Sequence, residues 1–540
     1  MTMKTRFLHI ALGLLLLGPS AEAQTDDTSV VNALRTEGNY SVFARLVEAC
    51  GLTERLSMIR DEAYEEAYLT GRISDIPDLG SEGSRSGTIP EHRYYGFTIF
   101  AETDALWSQL LGKAASAITP ADVQSYLIQQ GISEGSTNDQ YTSEGNALYQ
   151  FVTYHILPQK LAKDKLVIHY NELGYDWRST NRRPTIAVEE IYTTLGRPRL
   201  LKAFESAESG GICLNRFPVL RNGRGQFAPG KENINDYHES GNFQPLRGKS
   251  LTDTENEGIL VGDPVAAHNG YIYPLPQVLA CTENVCRQLQ NQRMRFDVGV
   301  LLPEMANSDM RRPMTSFYYG HPRDKGFPTS GEYPYFDNLY IGEGSRFYYL
   351  SGLDCSWSDY EGDEFMGTGR FDLTLKLPPV PADGTYELRI AMQSTSTVRT
   401  IVQMSLGADP ENLPFVHTVD MRQAGTTLRT SFGSFQKSIG WEEDTNDPVY
   451  NRSVDLRLHE RGYMKGANSY SYQSGSSVSV RSSEMCLRGV LWEGMVKAGQ
   501  QLYLRFENAL DNDNKQFFFD YIEWCPKEVY DNPETPEDIW

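Results

Sequence analysis

Near residue 290 the hydrophobic pattern of this 540-residue chain changes period, which marks a boundary between two kinds of architecture. Before it, apolar residues recur at helical spacing. Val42, Phe43, Leu46 and Val47 are followed by Leu52 and Leu56, with Gly51 between them as a cap would be. The strand-like run Phe97 to Ala101 leads into Thr103-Asp104 and the apolar positions Leu106, Trp107, Leu110 and Leu111, the pattern of a capped helix. Thr119-Pro120 opens another helix, with Thr at the cap and Pro at the first helical position. Leu148 to Ile156 predicts a third, closed by Pro158. Polar stretches near 61–96 and 222–257 read as inserted loops. Residues 39–285 therefore predict an α+β domain.

Beyond the boundary, apolar and polar residues alternate. Phe371 to Leu377 and Tyr386 to Met392, joined by the turn 378–384, predict a half-buried antiparallel pair. Leu502 to Phe506, a turn at Asp511 to Asn514, and Phe517 to Trp524 repeat it. Such strands predict an antiparallel β-sandwich of jelly-roll or galactose-binding-like form over 296–530. The acidic, Pro-rich tail 531–540 is expected to be disordered.

The residues of the first half also resemble a known family. Asn39-Tyr-Ser-Val-Phe43, with Leu46 and Gly51-Leu-Thr53, resembles the opening helix of a fasciclin (FAS1) domain. Phe97-Thr-Ile-Phe-Ala-Glu-Thr-Asp104 resembles its first signature, with Glu102 where the family has Pro. Tyr154-His155-Ile-Leu157 resembles the second, and Asp263 to Leu279 the closing segment, with Tyr273 in place of a His. Trp357 to Phe365, Leu377-Pro-Pro-Val-Pro381 and Tyr386-Glu-Leu-Arg389 are similar to the sandwich that follows FAS1 in some secreted bacterial proteins. The resemblance implies binding or adhesion without catalysis and names no ligand. Because the family's Tyr-His pair is linked to adhesion, it makes Tyr154 and His155 candidate ligand-binding residues. The residues themselves offer another reading: a His among Phe151, Val152, Ile156 and Leu157 reads as a hydrogen-bonded core residue.

Lys4 and Arg6, the apolar run Ile10 to Gly18, and Ala21-Glu-Ala23 follow the order of a secretory signal peptide over 1–23, too short for a membrane span. An exported, periplasmic, cell-surface or secreted protein is expected, with no transmembrane segment. The net charge of −21 disfavours nucleic acid and anionic lipid as partners. Seven cysteines (50, 213, 281, 286, 355, 486 and 525) leave at least one thiol unpaired within the chain. Cys281 and Cys286 are spaced to close a local bridge, and buried free thiols are the alternative.

Candidate chemistry concentrates after Trp357. Asp359, Glu361 and Asp363 alternate as carboxylates do in calcium loops, although Arg370 stands where an EF-hand needs Glu, and a solvated loop fits them too. Glu361, Asp363 and Glu364 also invite a glycosidase reading. Aromatic residues crowd 318–360, where exposed rings such as Trp357 and Tyr360 would stack on sugars or anchor a protein, and alternate rings would fill a core. Gly248-Lys-Ser250 is no phosphate loop, since Phe243 replaces the required Gly, and neither an H-E-x-x-H metalloprotease motif nor a G-x-G-x-x-G dinucleotide fingerprint occurs. The expectation is a non-catalytic adhesion or scaffold protein that binds an extracellular protein or glycan. Its alternatives are carbohydrate capture and, behind that, a glycoside-acting enzyme. Structural calcium is the one cofactor the sequence suggests.

Overall fold

The computed structural model describes residues 29–73, 89–133, 135–167, 188–196, 199–205, 211–217, 258–281, 283–311, 325–351, 363–394, 399–422 and most of 427–531. In the first half, helices Ser41–Ala49 and Thr53–Ser57 meet at Gly51, whose φ of +69° is the left-handed cap that stops the first. Leu52 N donates to Val47 O at 3.1 Å and closes the turn. Helix Pro120–Gln129 opens with a reciprocal capping box between Thr119 and Asp122. The segment beginning at 61, expected to be a loop, opens instead as helix Glu62–Leu69, capped by the Asp61 side chain at Tyr64 N. Its Glu-Ala-Tyr-Glu-Glu-Ala run consists largely of good helix formers, and the Gly- and Ser-rich residues downstream masked that signal.

Strands β1 (Phe97–Glu102), β2 (Ile156–Leu157), β3 (Val188–Thr193), β4 (Leu200–Glu205), β5 (Cys213–Leu214), β6 (Ile259–Leu260), β7 (Val265–Ala267) and β8 (Gly270–Leu275) make two four-stranded sheets, ordered β2-β1-β8-β7 and β3-β4-β5-β6. β1 runs parallel to β8, with Phe97 opposite Gly270. A Cβ on Gly270 would lie 1.8 Å from Phe97 O, so this contact requires glycine.

The second half continues with β9 (Met294–Asp297), β10 (Lys325–Phe327), β11 (Leu339–Ile341), β12 (Ser345–Ser351), β13 (Asp363–Gly369), β14 (Asp372–Lys376), β15 (Gly384–Gln393), β16 (Ile401–Gly407) and β17 (Phe415–Asp420). The hairpin of β18 (Thr427–Arg429) and β19 (Phe435–Lys437), then β20 (Tyr463–Lys465) and the hairpin of β21 (Tyr470–Gln473) and β22 (Ser476–Ser479), follow. β23 (Cys486–Val496), β24 (Tyr503–Asn508) and β25 (Gln516–Pro526) complete the strands. An eight-stranded sheet, β10-β12-β13-β25-β15-β23-β20 with β9 beside β25, faces a five-stranded sheet, β11-β14-β24-β16-β17. Every pairing between these strands is antiparallel, giving a β-sandwich.

The antiparallel pair expected of Phe371 to Leu377 and Tyr386 to Met392 does not form. β14 and β15 do not pair; they lie in opposite sheets, and the Pro-rich turn between them carries the chain across the sandwich. β24 and β25 cross in the same way. The two arches lie side by side, so β14 pairs with β24 (Leu375 opposite Leu504) and β15 with β25 (Leu388 opposite Trp524). Their apolar faces meet in one core that includes Phe347, Phe365, Leu373, Leu375, Leu388, Ile390, Leu504, Phe506, Phe517, Phe519 and Trp524. Burial stabilises each of these side chains by about 1.5–3 kcal/mol relative to exposure. Trp524 satisfies its indole N–H on Pro378 O at 3.0 Å.

Helices also occur beyond the boundary, notably Pro448–His459, whose Asp447 side chain caps Val449 N and Tyr450 N. The two halves share one core: Tyr64, Ile191, Leu200 and Phe217 of the first pack into the sandwich cluster. Beside that seam the buried Arg93 binds Asp61 (2.5 Å), Glu304 (3.0 Å) and Asp337 (2.6 Å), and its Nε donates to Tyr335 O. Among the described residues, no helix is long and apolar enough to cross a membrane.

Candidate functional site

Tyr154 and His155 end helix Ala147–Tyr154, and both are buried. The Tyr154 hydroxyl accepts from Asn215 Nδ2 at 2.9 Å and donates to Leu200 O at 3.2 Å. Burial pushes that hydroxyl well above its ordinary pKa, and neighbouring Cys281 adds to the effect. His155 stands 2.7 Å from Phe151 O through Nδ1 and 2.9 Å from Glu102 Oε1 through Nε2. A carbonyl only accepts, so Nδ1 carries a proton and Nε2 meets the carboxylate. Both side chains of this pair are 0% exposed, and Leu279 N donates to the same Glu102 oxygen at 3.0 Å. The pair offers nothing to an external ligand; it ties helix Ala147–Tyr154 to the end of β1 and to the segment after β8. Glu102 was the residue sequence reasoning passed over. Its signal in the sequence was a carboxylate at the end of an otherwise apolar strand-like run, Phe97 to Ala101.

The same segments hold one another elsewhere. Asp104 accepts from Ser41 N (3.0 Å), Ser41 Oγ (2.7 Å) and Val42 N (2.8 Å), and so caps helix Ser41–Ala49 from 63 residues away. Asn269 accepts from Val30 N at 2.8 Å and donates to Leu56 O and Met58 O at 2.8 and 2.9 Å.

A second cluster lies on the outer face of the eight-stranded sheet, opposite the core. Register alone creates it: Arg389 of β15 stands directly opposite Glu523 of β25, and Glu523 opposite Arg295 of β9. Glu523 accepts from Arg295 Nε at 2.7 Å, from Arg389 Nη1 at 2.9 Å, and from Arg488 Nη1 at 2.9 and 3.2 Å. Arg389 also binds Glu387, two residues back on the same face, at 2.6 Å, and His459 closes on Glu387 from helix Pro448–His459. Burial alone would raise the Glu387 carboxyl; His459 and Arg389 more than offset it and hold it below its usual value. The side chains of Glu523, Arg389 and Arg488 have no exposed surface, whereas His459 retains a third of its own. The half-buried pattern expected for β15 is thereby corrected: its outward Glu387 and Arg389 are as buried as its inward Leu388 and Ile390. A third set joins the partly exposed Asp444 to the buried Lys465 at 2.6 Å, while the buried Arg481 reaches Asp455 at 2.7 Å.

The aromatic span resolves in favour of the core where it is described: Tyr335, Phe336, Tyr340, Phe347, Tyr348 and Tyr349 are buried, and Tyr333 is partly exposed. Trp357, Asp359, Tyr360 and Glu361 lie outside the described residues, as does the side chain of Asp363. Among the described residues no group of three or more His, Cys, Asp or Glu is placed to hold a metal ion.

No family model matches the chain. No curated protein matches it either. Solved structures similar to it include a xylan-binding domain from Paenibacillus barcinonensis (9% identity, 35% of this chain and 86% of that one, TM-score 0.15). Others are a mosquito-larvicidal toxin from Bacillus thuringiensis (10%, 69% and 44%, TM-score 0.16) and an isomalto-dextranase from Arthrobacter globiformis complexed with panose (9%, 75% and 47%, TM-score 0.19). Likeness at these scores carries no argument about this chain's role.

Proposed function

We propose that this chain is an exported, non-catalytic adhesion or scaffold protein, in which a FAS1-like domain fused to a jelly-roll-like sandwich binds an extracellular protein or glycan. The observation that carries this reading is where the ionisable groups sit. His155 with Glu102, Arg93 with Glu304, and Glu523 with Arg389 and Arg488 are each buried and bonded within their own cluster. Charged groups paired in this way inside the protein support its shape. The FAS1-like assignment draws support from the mutual contacts of its four quoted segments: Asp104 on Ser41, Glu102 on His155, and β1 beside β8. The core shared by the two halves favours a scaffold, because a ligand engaging both meets one body.

The test is adhesion itself. Beads coated with residues 24–540 should adhere to surfaces bearing extracellular glycans or matrix proteins, saturably and in competition with the soluble chain. Adhesion no better than that of albumin-coated beads across all surfaces would sink the proposal.

A further inference from the structure

Between β8 and β9 the chain leaves the first half through Cys281 and helix Glu283–Gln290, which carries Cys286. The two sulfurs lie 4.0 Å apart, in van der Waals contact, with both residues partly exposed. Cys281 packs against the apolar cluster that contains Tyr154, Leu279 and Tyr273. A disulfide needs its sulfurs about 2.05 Å apart, so the remaining gap is of the size that side-chain rotation closes. Cys50, Cys213, Cys486 and Cys525, by contrast, are buried.

We propose that Cys281 and Cys286 are an oxidation site, joining as a disulfide that staples the exit of the first half beside Tyr154. In the cell this rests on the export reading, because a compartment outside the cytoplasm supplies the oxidant. That oxidant is a disulfide, carried either by a thiol–disulfide oxidoreductase or by a small thiol. The Cys286 thiolate attacks the carrier's disulfide, forming a mixed disulfide and releasing one carrier thiolate. Cys281 then gives up its proton and displaces the second. Two protons and two electrons pass to the carrier, and one S–S bond forms in the chain. The exchange balances equally with the two cysteines' roles reversed, and the product is the same S–S bond.

The decisive experiment needs no cell. Residues 24–540 are reduced with dithiothreitol under native conditions, desalted, equilibrated with oxidised glutathione, blocked with N-ethylmaleimide and peptide-mapped. The expected product is a cross-link between Cys281 and Cys286. The Cys286→Ser variant, with unchanged circular dichroism, should instead show Cys281 capped by glutathione or maleimide. Recovery of both cysteines of the native chain as separately capped residues, or linked to another cysteine such as Cys355, would overturn the proposal. Fractionation of the native host is read separately. A cytoplasmic location would count against export, and the in vitro cross-link would still decide whether the sulfurs join.

Discussion

Replacing Glu523 by Gln removes the charge shared by three buried guanidinium groups and changes almost nothing in shape. In the native protein this carboxylate accepts four contacts of 2.7–3.2 Å from Arg295, Arg389 and Arg488. Arg389 keeps Glu387 after the change; Arg295 and Arg488 lose the anion to which these bonds run. Removing one member of a buried ion pair destabilises by about 3–5 kcal/mol, because the remaining charge stays buried without compensation. A domain's whole stability is about 5–15 kcal/mol, so the loss is a large fraction of it. Urea unfolding followed by tryptophan fluorescence reads it as a lower midpoint at unchanged slope. The control is Glu493→Gln in β23, whose bond to Lys527 is 3.6 Å long with both side chains about half exposed. That change should stay within about 0.5 kcal/mol. If Glu523→Gln behaved like Glu493→Gln, the Glu523 cluster would not be holding the outer face together.

Further expectations follow from the same geometry. Glu102→Ala leaves His155 and Leu279 N buried without their shared partner and should destabilise by about 1–3 kcal/mol, measured by thermal unfolding; a change below about 0.5 kcal/mol would refute that tie. Burial first, then Asp337, raises the Glu304 carboxyl from 4.5 to about 7, against the opposing pull of Arg93. The folded state therefore binds more protons than the unfolded state between those values. Its contribution to stability is present below about 4.5 and is lost as pH rises towards about 7. Glu304→Gln should flatten that part of the stability–pH curve, and an unchanged slope would contradict the assignment. Because Tyr64, Ile191, Leu200 and Phe217 pack into the sandwich core, calorimetry should show one cooperative transition for both halves. Leu200→Ala should lower it by about 2–5 kcal/mol without splitting it. Two well-separated transitions in the unsubstituted chain would contradict the shared core.

Local chemistry was legible in the sequence. Gly51 and Thr119-Pro120 sit where capping rules put them, whereas the helix expected to run from Leu148 to Ile156 and close at Pro158 ends at Tyr154, because Ile156–Leu157 pair with β1 as a strand. Asp447-Pro448 obeys the same rules, yet it was passed over among strand-like segments. Alternation in 386–392 correctly identified which residues share a face. It could not tell which strand lies alongside, because pairing is set by contacts remote in sequence: β15 found β23 and β25 rather than β14. Nor could it show that the second face is covered, which is why Glu387 and Arg389 read as ordinary solvated positions. The burial of Tyr154 and His155 was legible in their apolar neighbours, whereas the partner Glu102, 53 residues away, was not.

The account's central claim is binding without turnover. A panel of extracellular glycans and matrix proteins, incubated with residues 24–540 with and without calcium, tests it when each component is scored for retention and for cleavage. The account predicts saturable retention of one class, with that ligand recovered intact at every time point. Release of cleaved product in proportion to time and protein would contradict it and identify the chain as an enzyme.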